Sequence, residues 1–75
     1  MSYVLLVECS DSTGLIYKIT SKLFEFGANI IKNDEFVDSD SGKFFMRSEF
    51  SGDCDMEELK NSVLSILPRN ADVKI

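Results

Sequence analysis

Asn29-Ile30-Ile31-Lys32-Asn33-Asp34-Glu35-Phe36-Val37-Asp38-Ser39-Asp40-Ser41-Gly42-Lys43-Phe44-Phe45-Met46-Arg47-Ser48-Glu49-Phe50 reads as two strands folded back on one another. The second half alternates cleanly. Phe44, Met46, Ser48 and Phe50 fall on one face, and Phe45, Arg47 and Glu49 on the other, the period of two that marks a half-buried strand. The first half alternates imperfectly. Ile30 and Ile31 are adjacent, and Asn33, Asp34 and Glu35 are polar in succession, which a bulge or an edge position explains. Between the halves, Ser39-Asp40-Ser41-Gly42 is a turn, with Gly42 free to take a positive φ.

Upstream the period changes. Leu15, Ile16, Ile19, Leu23 and Phe26 recur at helical spacing, with Lys18, Ser21, Lys22 and Glu25 on the other side. Ser12 or Thr13 is placed to cap this helix, and Gly27 to end it in the left-handed conformation. Before it, Tyr3 to Cys9 is apolar on both alternating faces, as a central strand would be. Downstream, Asp55-x-x-Glu58 opens a second helix in the manner of a capping box. Met56, Leu59, Val63, Ile66 and Leu67 form its apolar stripe, and Pro68 ends it. Ala71 to Ile75 reads as a last short strand.

The order is therefore β-α-β-β-α-β. Two right-handed crossovers joined by a hairpin predict an α+β, ferredoxin-like sandwich, a four-stranded antiparallel sheet with both helices on one face. A single sheet covered on one side leaves an open face. The first and third strands carry apolar residues on both sides, so Phe45 or Phe44 must face outward or meet a partner.

The chain of 75 residues is long enough for one domain, and its lone core is marginal. That raises the expectation of a homodimer or higher oligomer, through the edge strand or the open sheet face. The net charge of −5 disfavours phosphate backbones and anionic lipid surfaces, so neither nucleic acid nor membrane is expected as a partner. No apolar run approaches the ~18 residues of a membrane span, and the N-terminus lacks the basic region of a signal peptide. Cys9 and Cys54 form no C-x-x-C pair and have no basic neighbour, so they read as inert thiols of a cytoplasmic protein.

The run from Asp11 through Gly14-Leu15, together with Asn29-Ile30 at the start of the second strand, resembles the ACT domain, a small regulatory module of amino-acid and one-carbon metabolism. More narrowly, the run Asn29 to Asp38 followed by Phe44-Phe45-Met46-Arg47 looks like the N-terminal domain of the formyltetrahydrofolate deformylase family. Cys9-Ser10-Asp11 departs from the Cys-Pro-Asp common there. The catalytic Asn, His and Asp of that family lie in a formyltransferase-like domain, and this chain has no His. No catalytic residue is carried over, so the resemblance implies an amino-acid-sensing regulatory domain of that enzyme. A ligand-free dimerisation module and a stand-alone ACT regulator of a separate protein are the alternatives. No cofactor or metal is expected.

The resemblance implies a binding site for a small amino-acid effector at Asp11, Gly14, Leu15, Asn29 and Ile30. The chemistry agrees with it. Amide groups at a helix N-terminus attract a carboxylate, Asp11 offers a partner for an ammonium, and Asn29 both donates and accepts. The same residues also serve structure alone: Asp11 as a turn cap, Gly14 as the residue that lets helix and strand pack closely. The run Asn33–Glu35 reads either as a dimer seam or as a charge-protected edge.

Two weaker patterns point elsewhere. Asp38-x-Asp40-x-Gly42 with Glu49 is similar to part of a calcium loop, but its Gly falls one place early and strands flank it. Lys43 to Phe50 occupies the place of an RNA-stacking motif, without that motif's Gly or its aromatic at Arg47.

Overall fold

The computed structural model describes residues 2–75. Its elements are β1 (Ser2–Ser10), α1 (Leu15–Glu25), β2 (Asn29–Asp38), β3 (Lys43–Ser51), α2 (Met56–Ser65) and β4 (Asp72–Lys74). The sheet order is β2-β3-β1-β4 and every pairing is antiparallel. This is the expected ferredoxin-like sandwich, with β1 central and β2 at an edge.

One face of the sheet carries the core. Leu5, Val7 and Cys9 of β1 and Phe44, Met46 and Phe50 of β3 are buried against Leu15, Ile19 and Leu23 of α1 and Leu59 and Val63 of α2. Phe45 is the phenylalanine that faces outward, and Phe44 belongs to the core. The column Phe44–Met46–Ser48–Phe50 also buries a serine completely. Ser48 donates its hydroxyl to Asn33 Oδ1 on β2, and Asn33 Nδ2 donates in turn to Glu35 Oε1 at 2.9 Å. Of the polar run on β2, Asn33 thus faces the helix side and fastens the edge strand to a buried group.

The bulge falls at Ile31. Ile30 pairs with Phe50 and Lys32 with Glu49, so Ile31 is the extra residue. It resolves the two adjacent isoleucines: Ile30 is half-buried beside the core and Ile31 is exposed.

The helices depart from expectation at three points. Neither Ser12 nor Thr13 caps α1. The N-cap position is Gly14, with φ +82°, and no side chain accepts from the first turn. Ile16 is not a core residue but is exposed, as the outer face of α1 also carries Tyr17 and Phe24, 76% and 82% exposed. Helix α2 stops at Ser65, so Ile66 and Leu67 lie beyond it. Their amides bond three residues back, to Val63 and Leu64, because the residue before Pro68 is disfavoured in the helical region. Both still pack against the core.

Two expected ends hold. Gly27 takes φ +74° and its amide bonds to the carbonyl of Phe24, while Ala28 N–H bonds to that of Leu23 at 2.9 Å. That is the paired closure of a Schellman motif. Asp55 Oδ1 accepts from Glu57 N–H and Glu58 N–H at 2.9 and 3.1 Å and caps α2.

Candidate functional site

The strand register decides where the candidate residues stand. Ser10 pairs with Lys43, and Lys43 with Asp38. The turn after β1, with Asp11, Gly14 and Leu15, therefore lies at the same end of the sheet as the β2–β3 hairpin. Asp11 N–H donates to Gly42 C=O at 2.9 Å and ties the two loops together. At the other end, Ser2 pairs with Ser51 and Ser51 with Asn29. The nine residues of β1 separate these ends by roughly 27 Å at the usual strand rise. Asp11, Gly14 and Leu15 are brought together; Asn29 and Ile30 are not brought to them within one chain. The sequence order suggested proximity because a crossover returns the chain beside its starting strand. It returns to the same end of the sheet that β1 began from.

Each half has a definite chemistry. Leu15 is buried, so it offers only its amide. With Gly14 at the N-cap, the opening of α1 presents amide donors with neither a side-chain cap nor an acidic residue in the first turn. Helix α2, by contrast, has Asp55, Glu57 and Glu58 at its start. Asp11 is exposed at the α1 end. Asn29 is exposed at the other end of β2, beside half-buried Ile30.

The open face of the sheet is a second candidate surface. Phe36 and Phe45 stack with ring centroids 4.9 Å apart and planes 17° apart, although Phe36 remains 61% exposed. Beside them a shallow groove of about 350 Å³ runs over Leu6 and Arg47 toward Lys74. On the same face Lys43 Nζ meets Glu8 Oε2 at 3.0 Å.

The weaker patterns find other work. Both Asp38 oxygens are engaged in the turn, accepting from Asp40 N–H at 3.1 Å and Ser41 Oγ at 3.0 Å. No cluster of metal-ligating side chains occurs among the described residues. Cys54 is half-buried and Cys9 is buried. Burial, with the negative charge of Asp11 adding to it, pushes the Cys9 thiol above its ordinary value of 9.0. A thiol reagent on the native chain should modify Cys54 well before Cys9, and denaturant should abolish the difference. The folded thiol holds its proton more tightly than the unfolded one. Its contribution to stability is therefore complete below about pH 9 and is lost as the pH climbs through the raised value. Replacing Cys9 by Ala should flatten that alkaline decline in a urea titration.

Sequence reasoning missed two features. The first is the Asn33–Ser48 link, whose signal was a serine in an otherwise apolar core column. The second is the aromatic outer face of α1. Tyr17 and Phe24 stand seven residues apart, two turns of helix, opposite the buried stripe.

The arrangement defines the class: the fold is that of the ACT domains. The ACT domain protein from Streptococcus pneumoniae matches it with a TM-score of 0.77 at 23% identity, over 99% of this chain and 85% of that one. In sequence, the chain is similar to formyltetrahydrofolate deformylase. The enzyme of that name from Haemophilus influenzae is 36% identical over 72 residues, 96% of this chain and 26% of the enzyme. The crystal structure of the deformylase from Pseudomonas putida KT2440 superposes with a TM-score of 0.83 at 23% identity, over 99% of this chain and 28% of that one. The chain spans about a quarter of the length of the curated relatives it matches. No protein-family model matches it. Among the described residues, no helix is long and apolar enough to cross a membrane.

Proposed function

We propose that the chain is an amino-acid-sensing regulatory domain of ACT type, cytoplasmic, and that the activity it regulates is formyltetrahydrofolate deformylase. That activity is hydrolysis of 10-formyltetrahydrofolate to formate and tetrahydrofolate, within one-carbon and purine metabolism. The effector is held between two copies of the domain. The observation that supports this reading is the position of the two half-sites at opposite ends of an unpaired edge strand. If β2 of one copy pairs antiparallel with β2 of another, Asn29 of each comes level with Asp38 of the other. Asp38 lies at the end where Asp11 and the opening of α1 stand. A two-fold interface then completes two sites at once. The α1 amides take the carboxylate of the effector, Asp11 takes its ammonium, and Asn29 closes the site from the second copy. Regulation follows only if the effector binds one arrangement of copies better than another.

The test is subunit mixing. Asp11→Ala and Asn29→Ala chains are prepared separately, then unfolded together and refolded. Each alone should lose the thermal shift given by whichever of the twenty amino acids stabilises the wild type. A mixed dimer regains one intact site, so the mixture should recover part of the shift. Recovery without mixing, or loss that mixing never relieves, overturns the shared site. A second reading, assembly without any ligand, is favoured by the exposed Tyr17 and Phe24, which a partner would bury. A flat amino-acid panel on a chain that nonetheless dimerises selects it.

A further inference from the structure

The register turns the open face into a grid of four strands by four rows. Along β2 the outward residues are Asp38, Phe36, Asp34 and Lys32. Opposite them on β3 stand Lys43, Phe45, Arg47 and Glu49. Strand β1 adds Glu8 and Leu6 to the two middle rows, and β4 adds Asp72 and Lys74. This face is close to neutral, although the chain carries −5. The excess negative charge that would keep two copies apart sits elsewhere.

We infer that this face docks on the same face of a second copy, about a two-fold axis that crosses the strands midway between the middle rows. Such an axis lays each strand antiparallel over its own counterpart and exchanges the rows. Asp38 then meets Lys32 of the second copy, Lys43 meets Glu49, Asp72 meets Lys74, and the Phe45 ring meets Arg47. Every contact occurs twice, because the interface is isologous. No like charges face each other. An axis along the strands gives a poorer match, in which only Asp34 against Lys74 is complementary. The roughly −30° angle between aligned sheets offsets the corners by a few ångströms, and the outermost pairs involve lysine, which spans such an offset.

Phe36 and Phe45, stacked on each other, and Leu6 supply the apolar area of the two middle rows, where Phe36 of one copy lies over Asp34 of the other and Leu6 over Glu8. Strand spacing and rise give the face roughly 500 Å². Two copies would bury on the order of 1,000 Å², the weak end of specific interfaces. The contact is therefore a weak and salt-sensitive one. It uses a surface separate from the β2 edge and does not depend on a ligand, so it stands whether or not the edges pair. With edge pairing it doubles dimers into tetramers; without it, monomers into dimers.

The experiment is sedimentation equilibrium of the full chain at low and high salt, on the wild type, Asp72→Lys, Lys74→Asp and the double exchange. Asp72 and Lys74 are exposed, their side chains 63% and 72% accessible, so neither change threatens the core. High salt should weaken the doubling step in the wild type. Each single exchange sets like charges together twice and should weaken it about tenfold. The double exchange restores the complementarity and should return the wild-type constant, but it also restores the 4.0 Å pair of these two side chains within each chain. An equimolar mixture of the two single exchanges restores complementarity between copies alone and should recover the doubling, which a merely local loss would not do. Doubling that ignores the single exchanges, a double exchange or a mixture that fails to recover, or a chain with no salt-dependent doubling overturns the proposal. Any of these leaves the face to a different occupant.

Discussion

Replacing Phe50 by Ala is expected to unfold the chain at ordinary temperature or to leave it barely folded. Phe50 has no exposed surface and is the largest of the fully buried side chains. It sits at the end of β3, with the Tyr3 ring 5.8 Å away, centroid to centroid, and Ile30 of β2 as its strand partner. The ring is thus the packing point at which the edge strand, the central strands and the helices meet. Truncating a buried Phe costs about 3–5 kcal/mol, part transfer and part cavity. A domain of this size holds only about 4–11 kcal/mol in total. Urea denaturation should show most of that lost, with the melting point lower by roughly 15 °C or more. A loss under about 1 kcal/mol would mean that the cavity collapses freely, and that the core is less tightly packed than its burial indicates.

The second large effect is expected at Asn33. Alanine there removes the acceptor of the buried Ser48 hydroxyl. A buried polar group left without its partner costs about 1–3 kcal/mol, more than the hydrogen bond itself contributes. Ser48→Ala alone should cost less, because Asn33 stands at the edge, where water and Glu35 remain within reach. The double variant should be no worse than Asn33→Ala and closer to the wild type. A coupling energy near zero in that double-mutant cycle would show that the Ser48 hydroxyl finds another acceptor when Asn33 is gone.

The fold was legible because its signals are local. The change from period two to period 3.6 marks each element, and Gly27, Gly42 and Asp55 act through their own backbones or side chains at the places where the elements turn. What the sequence did not disclose depends on three-dimensional register. Asn29 and Asp11 both flank α1, and nothing in their spacing says which end of the sheet each occupies. Pairing of Ser2 with Ser51 and of Ser10 with Lys43 decides it. The cap of α1 was misread for a related reason. Ser12 and Thr13 are good capping residues, but the left-handed Gly14 starts the helix after them and turns both away. Ile16 looked like core because helical periodicity tolerates a wide stripe, and only the packing shows where that stripe ends.

The central place of β1 also bears on how the chain comes together as it leaves the ribosome. The strand made first has no partner until Ser51 has been synthesised, and its other side waits for Lys74. Until then Leu5, Val7 and Cys9 stay uncovered. The two helices and the β2–β3 hairpin can form early, from neighbours in sequence, whereas sheet closure awaits β4. High contact order of this kind slows folding, and an unpaired apolar strand is open to the wrong partner in the interval. Nascent chains stalled before Asp72 should therefore be the stage at which this domain most needs a chaperone.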